Sequence, residues 1–448
     1  MPPPCIRIGL LGCGVVGSGF LHLLRERRVE IEASLGATVR LTRVAVADPA
    51  KPRDVDLAGI ALGADPLEVA GAPDVDVLVE LMGGADRALP PVRRALERGV
   101  GVVTANKHLL SLHGDALEEA RAGTGAALRY EAAVGGAIPV LQALDHGLLT
   151  ERFTLLVAVL NGTTNFILST MEREGRDFAE ALEAARALGF AEADPSLDLS
   201  GADTAQKLTL LVRRAFRVPV PHGSIPAEGI VGMELPDLRQ ADRFGYVAKL
   251  LGIAIRTNEG LDLRVHPAFI PKRYLLAAVR DEMNGVYLRG EATGNMMFYG
   301  KGAGAMPTAQ AVLGDVLDVA RELVLRRGAA GGPGTAGAGI PGAAGGAPGR
   351  AARSAAPRRL SLDDVRTKYY LRFLVEDRPG VLAEIAERLG AHRVSVAQMF
   401  QDAGMRGEAS IVMLTHEARD RDVRDAVQGI AALRSVRKTP RAVRIFDP

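Results

Sequence analysis

The 448-residue chain has no tryptophan, and its aromatic share is only 4%. It has two cysteines, Cys5 and Cys13, too few for a disulfide framework, which fits a reducing, cytoplasmic setting. It also lacks an excess of one charge. The 55 basic residues face 53 acidic ones, which leaves no electrostatic case for nucleic acid or for a polybasic membrane surface. No uninterrupted apolar run approaches the ~20 residues needed to span a bilayer. The apolar opening at 6–24 is broken by Arg7 and by glycines at 9, 12, 14, 17 and 19, which makes a poor signal peptide. No His or Cys cluster has transition-metal spacing. Lysine is scarce too, 8 residues against 47 arginines. Arginine has been accepted wherever any positive charge suffices. A lysine that remains is a candidate for work that only an ammonium able to deprotonate can do.

What is present is a 48% hydrophobic chain, long enough for two to four domains with buried cores. Residues 5–12 read as a buried strand and 16–28 as a helix. Strands at 40–47, 75–81 and 100–104 follow, with a helix at 91–98 between the last two. That alternation predicts a doubly wound parallel sheet. Around residue 130 the pattern changes. A strand at 153–160 and helices at 176–188 and 201–216 predict a separate α+β domain on its own sheet, and 308–327 predicts a long amphipathic helix returning to the first domain. Residues 328–357 are nearly all Gly, Ala and Pro and read as a flexible linker. Beyond it, strands at 368–376, 395–401, 408–415 and 441–446 and helices at 379–389 and 420–433 follow the β-α-β-β-α-β order of a ferredoxin-like module. The expected domains are 1–130, 131–327, a linker at 328–366, and 367–448.

The G-x-G-x-x-G pattern of Gly12, Gly14 and Gly17 lies between the first strand and the first helix. The first glycine permits the tight turn, the second lets backbone approach a pyrophosphate, and the third brings helix and strand together. Cys13, at an x position, reads as small filler. The acid that would bind an adenosine ribose is Asp48; Lys51 and Arg53 close behind could instead grip a 2′-phosphate, so NAD and NADP both remain open. Lys107 follows a strand whose carboxyl end faces the ligand crevice of such a sheet. Asp203 and Lys207 are one helical turn apart, a spacing that also suits an ordinary surface pair. Glu192 and Asp194 add carboxylates on the preceding loop. Asn161, Thr163, Thr164 and Asn165 crowd a helix start beyond what capping needs, and Gly300, Gly302 and Gly304 make a second glycine-rich turn before a helix.

Together these segments resemble homoserine dehydrogenase over 6–327, through the patterns at 12–17, 104–107, 130–139, 161–165, 188–195 and 203–207. Residues 367–448 resemble an ACT domain, with Asp377, Arg378, Pro379 and Gly380 between its first strand and helix. The resemblance implies an α/β fold, with a Rossmann dinucleotide-binding domain, an α+β substrate and dimerisation domain and a ferredoxin-like ACT domain. It implies an NAD- or NADP-dependent interconversion of L-homoserine and L-aspartate 4-semialdehyde. By it, Gly12, Gly14, Val15, Val16, Gly17, Lys107 and Gly304 meet the cofactor. Gly189, Glu192, Asp203 and Lys107 meet the substrate. Lys207, with Asp203 and Lys107, carries the chemistry. Glu131, Val134, Gly136 and Ile138 match a site for a monovalent cation, Na⁺ or K⁺. A small-molecule substrate, an amino acid effector (threonine) at the ACT domain and a homodimer or homotetramer are the implied partners. A phosphorylating semialdehyde dehydrogenase would need a cysteine for its thioester, and Cys5 and Cys13 are wrongly placed for one. The long linker predicts a loosely tethered ACT module that passes little strain to the catalytic part, so truncation after Arg327 is expected to retain turnover.

Overall fold

The structure, a computed structural model, describes residues 3–330, 358–403 and 407–447. It divides into two compact units. The first comprises the described residues up to 152, 206–224 and 298–330; the second comprises 153–205, 225–297 and the described residues from 358 onward. The units interleave along the chain, so they do not follow the contiguous boundaries expected at 130 and 327. Among the described residues no helix is long and apolar enough to cross a membrane.

The first unit holds six parallel strands: β1 (Cys5–Leu11), β2 (Thr38–Ala45), β3 (Ala61–Gly63), β4 (Val77–Glu80), β5 (Gly101–Thr104) and β6 (Leu128–Arg129), in the order β3-β2-β1-β4-β5-β6. This is the doubly wound arrangement expected. The strands read as near-continuous apolar runs because helices cover the sheet. Ile6, Ile8, Leu10, Val77, Val79 and Val103 pack with Phe20 and Leu21 of the helix Val15–Glu26 and with Val312, Val316 and Val319 of the helix Ala305–Ala330. That last helix is the one expected to return to this sheet, longer at both ends. It lies flush on β5: a Cβ at Gly101 would stand 2.5 Å from Val319. A short helix, Arg28–Leu35, was not expected; it ends on Gly36 in the left-handed region.

The second unit is built on β7 (Phe153–Val159), β8 (Tyr246–Arg256), β9 (Leu261–Pro271), β10 (Met283–Gly290), the first half of β11 (Gly294–Lys301), β12 (Arg366–Glu376), β13 (Val396–Ala403), β14 (Glu408–Thr415), β15 (Ala418–Arg419) and β16 (Arg441–Ile445). The sheet runs β11-β10-β7-β8-β9-β16-β12-β14-β13, with β15 beside β12. From β12 onward, the helices Val381–Ala391 and Asp420–Ala431 complete the expected β-α-β-β-α-β module. It has its own core, including Leu371, Phe373, Ile385, Ile411 and Ile430.

The module is not loosely tethered, contrary to what the linker suggests. β16 pairs in parallel with β9, Arg444 opposite Ala268 and Ile445 opposite Phe269, so one sheet runs through both parts. The Tyr370 ring stands edge-on to Phe269, with centroids 5.1 Å apart. Arg444 grips Glu228 through both terminal nitrogens at 2.7 and 2.8 Å. Arg372 bonds the buried Asp237 and, at 2.8 Å, Glu234. Most of the expected linker, 331–357, lies outside the described residues, but its end is structured. The Leu261 amide donates to the Arg358 carbonyl at 2.8 Å, and the Leu360 amide donates to that of Leu261 at 3.0 Å.

This seam makes a stability prediction. Removing one partner of a buried ion pair strands the other, at about 3–5 kcal/mol. Arg372→Met should therefore lower Tm by about 6–20 °C by calorimetry, and Arg372→Met with Asp237→Leu should recover much of the loss. An unchanged Tm in the single variant would show the pair to be inert. Although burial pushes its carboxyl upward, Glu234 is held at about 2 by Lys438, Arg372 and Arg441. A depressed carboxyl stabilises the fold above its unfolded-state pKa, so this contribution fades as pH falls from about 4.5 towards 2.

Candidate active site

In the first unit the turn after β1 has the geometry its glycines predict. Gly12 adopts φ 90°, and a Cβ there would meet the Leu81 carbonyl at 2.6 Å; a Cβ on Gly17 would lie 2.5 Å from the Gly12 carbonyl. Nothing lies within 4 Å of a Cβ on Gly14. Two glycines thus close the turn and the third leaves backbone bare, as a pyrophosphate requires. Gly12, Gly14 and Val15 line a cavity of about 770 Å³, and Val16 instead turns onto the core. The lining also includes Asp48, Lys51, Arg53, Asp54 and Arg87. The Arg53 guanidinium donates to the carbonyls of Asp48 and Lys51, both at 2.6 Å, while the Asp48 carboxylate accepts from the Ala50 amide at 2.9 Å. Gly304, at φ 119°, opens the helix Ala305–Ala330 and is not part of this cavity's lining.

Lys107 begins the helix Lys107–Ala122, whose start is fixed by a buried relay that no sequence pattern announces. Glu80, 0% exposed at the end of β4, accepts from the Thr104 hydroxyl at 2.6 Å and from the Met82 amide at 2.8 Å. Burial pushes its carboxyl pKa up, partly offset by those donors. The Thr104 hydroxyl accepts from the Asn106 amide at 3.0 Å. The Asn106 side chain caps Leu109 at 3.0 Å and donates to the Gly84 carbonyl at 2.7 Å. Nothing local distinguishes Glu80 in an apolar strand; its partners come from the neighbouring strand and turn.

Lys207 belongs to the helix Ala202–Ala215, the residues from 206 onward lying in the first unit. Gln206 and His108 touch at 3.3 Å, and Arg213 donates to the Leu110 carbonyl at 3.1 Å. The helices bearing Lys107 and Lys207 are therefore in direct contact at the residues adjoining both lysines. Asp203 lies one turn before Lys207 on the same helix.

In the second unit Asp203, 3% exposed, is met by Asn161. The Asn161 amide donates to Asp203 at 2.9 Å and to Asp198 at 2.6 Å, and its oxygen caps the helix Gly162–Glu174 by accepting from Thr164 at 2.8 Å. The Thr163 hydroxyl stands 2.6 Å from the Phe190 carbonyl and 3.0 Å from Asp198, two acceptors for its single proton. Asp198 was not among the expected site residues. Gly189, at φ 76°, turns the chain after the helix Phe178–Ala187, and Glu192 sits exposed on the loop that follows.

Back in the first unit, the carbonyl-rich loop at 131–138 folds over a buried Glu131. Its carboxylate accepts from the amides of Leu141 at 2.9 Å and Gln142 at 2.6 Å, and burial drives its pKa to about 7. Gly135 and Gly136 are both left-handed, and a Cβ on Gly136 would stand 2.6 Å from the Gly302 backbone. Val134 and Ile138 are buried beside them. Among the described residues no three His, Cys, Asp or Glu side chains group as a metal site, so any cation here must rely largely on backbone oxygen.

A glycine turn that leaves Gly14 bare toward a cavity of this size is the nucleotide half of an NAD(P)-dependent oxidoreductase, and the second unit carries an ACT module. The family model for the homoserine dehydrogenase NAD binding domain matches residues 12–131, that for homoserine dehydrogenase 139–317, and that for the ACT domain 369–434. The chain is 37% identical to a homoserine dehydrogenase of Neisseria gonorrhoeae over 98% of both chains, and 36% identical to one of Pseudomonas aeruginosa over 96% of both. The crystal structure of a homoserine dehydrogenase from Thiobacillus denitrificans is similar at a TM-score of 0.89, with 38% identity and 99% coverage of each chain. The chain belongs to the homoserine dehydrogenase family, whose enzymes interconvert L-homoserine and L-aspartate 4-semialdehyde in amino acid biosynthesis.

Proposed function

We propose that Lys207 moves the proton in this interconversion, that Lys107 stabilises the reacting oxygen, and that Asp203, Glu192 and Gly189 hold the amino acid end of L-homoserine. Bound nicotinamide supplies the hydride acceptor, and Gly12, Gly14, Val15, Val16, Gly17, Lys107 and Gly304 are the residues assigned to the dinucleotide. In the oxidation direction the amine of Lys207, neutral at that moment, takes the hydroxyl proton, and the Lys107 ammonium meets the developing alkoxide. Asp203, gripped by Asn161, orients the substrate. The observation that carries this reading is the Gln206–His108 contact, which brings together the two helix segments bearing the lysines. Initial rates with L-homoserine, run in parallel with NAD⁺ and NADP⁺, test it and decide between Asp48 and the Lys51–Arg53 pair as the determinant of cofactor choice. No reduced nicotinamide with either cofactor would overturn it.

A monovalent cation, Na⁺ or K⁺, is assigned to Glu131, Val134, Gly136 and Ile138. The support is an oxygen-only donor set on a buried loop in which Gly135 and Gly136 are both left-handed. Activity should survive EDTA and change with the monovalent salt supplied. Complete loss in EDTA, restored by zinc, would reject the assignment.

Threonine is the proposed effector. The ACT helix Val381–Ala391 starts at Gly380, φ 92°, with no side-chain cap, so its first amides suit an amino acid carboxylate. A cytoplasmic homodimer or homotetramer completes the proposal.

A further inference from the structure

Lys249 lies near the middle of β8, 1% exposed, and ranks among the largest fully buried side chains of the described residues. Its ammonium donates to the Asn165 side-chain oxygen at 2.8 Å and to the Val279 carbonyl. No carboxylate forms an ion pair with it among the described residues; Glu172, Asp281 and Arg280 act on it only at longer range. Burial pulls its pKa down to about 8. An unpaired buried cation is costly, and a chain that otherwise favours arginine has kept a lysine here.

What the cation holds is specific. Asn165, 1% exposed, spends its amide hydrogens on the carbonyls of Val279 at 3.2 Å and Met283 at 3.1 Å, and its oxygen on Lys249. The lysine therefore fixes which way the Asn165 amide faces. Asn165 sits in the first turn of the helix Gly162–Glu174, and Gly162 lies so close to the same segment that a Cβ there would be 2.8 Å from the Glu282 carbonyl. One residue before Gly162, Asn161 holds both Asp203 and Asp198.

We propose that Lys249 is a positioning residue for the substrate site: by orienting Asn165 it seats the start of the helix Gly162–Glu174, and so sets where Asn161 holds Asp203 and Asp198. The inference rests on the assignment of Asp203 to the substrate.

The test uses the full-length enzyme. Lys249→Met keeps length and apolar bulk but removes every donor. It should raise the homoserine KM about 10-fold, the scale of coupling between residues in one hydrogen-bond network, with the cofactor KM unchanged. Lys249→Met with Asn165→Leu removes both side chains of the pair; the Val279 and Met283 carbonyls lose their donors, so Tm should recover only in part over Lys249→Met alone. A positioning role requires the homoserine KM to stay raised in this double variant wherever it is folded at the assay temperature. A wild-type homoserine KM in the double variant reduces the pair to a structural bond and overturns the proposal, as does an equal rise in cofactor KM. If Lys249→Met yields no folded protein, Lys249→Gln, which keeps an uncharged NH₂ donor group but loses the cation, takes its place with the same readings. Asp203→Asn separates the two ideas. An unchanged homoserine KM there rejects the substrate role of Asp203; a raised KM there beside a wild-type KM in Lys249→Met rejects only the Lys249 inference.

Discussion

Lys207→Arg should fold, bind homoserine and turn it over at least ~10²-fold more slowly, the usual size of general acid–base catalysis. The substitution keeps positive charge, and a helix interior accepts arginine as readily as lysine. What it removes is the ability to shed a proton, since a guanidinium stays charged at any workable pH. The helix Ala202–Ala215 already carries Arg213 and Arg214 about two turns further on, so this helix tolerates arginine elsewhere along its length. A large kcat loss with a near-normal homoserine KM and Tm would mark proton transfer. Near-normal turnover would remove Lys207 from the mechanism.

Truncation after Arg327 should yield little soluble enzyme, and what survives should melt about 10 °C or more below the full chain. The reason is the seam. Without β16, the edge of β9 loses its parallel partner and its unpaired backbone groups become a template for association. Phe269 loses the Tyr370 ring, and Glu234, Asp237 and Glu228 lose Arg372 and Arg444 together. Several such losses, at a few kcal/mol each and about 2–4 °C per kcal/mol, reach that shift readily. This reverses the outcome a free tether implies, in which turnover survives the cut. Soluble yield, a melting curve and homoserine turnover decide; a monomerically soluble truncate with the parent Tm would make the shared sheet incidental. The same seam ties the module to the rest of the second unit, so an effector there biases that unit only if it binds two states unequally.

The contrast between the two units explains what the sequence could reveal. The glycine turn at 12–17 was legible because each glycine answers a local steric demand, and Lys107 because the end of a parallel strand is a local landmark. β9 was not legible. Asp262, Arg264 and His266 alternate along it with Leu261, Leu263 and Val265, a pattern that suggests one wet face, yet all six are buried. Burial pushes the Asp262 carboxyl up and the Arg264 and His266 groups down. Arg444, one of the charges acting on all three, lies on a strand far along the chain. Asp198 escaped for a similar reason, since only the fold brings Asn161 and Thr163 to it.

The β9–β16 pairing also bears on how the protein comes off the ribosome. β16 begins about 170 residues after β9 ends. At ~5–20 residues per second, the β9 edge waits ~10–30 s for its partner to be synthesised. During that interval a nearly finished substrate sheet presents bare main chain and Phe269 to its surroundings, and neighbouring nascent chains on one message present the same edge. Slow elongation on a crowded message is therefore the condition under which this enzyme is most exposed to misassembly, and protection is needed most before the module's last strand emerges.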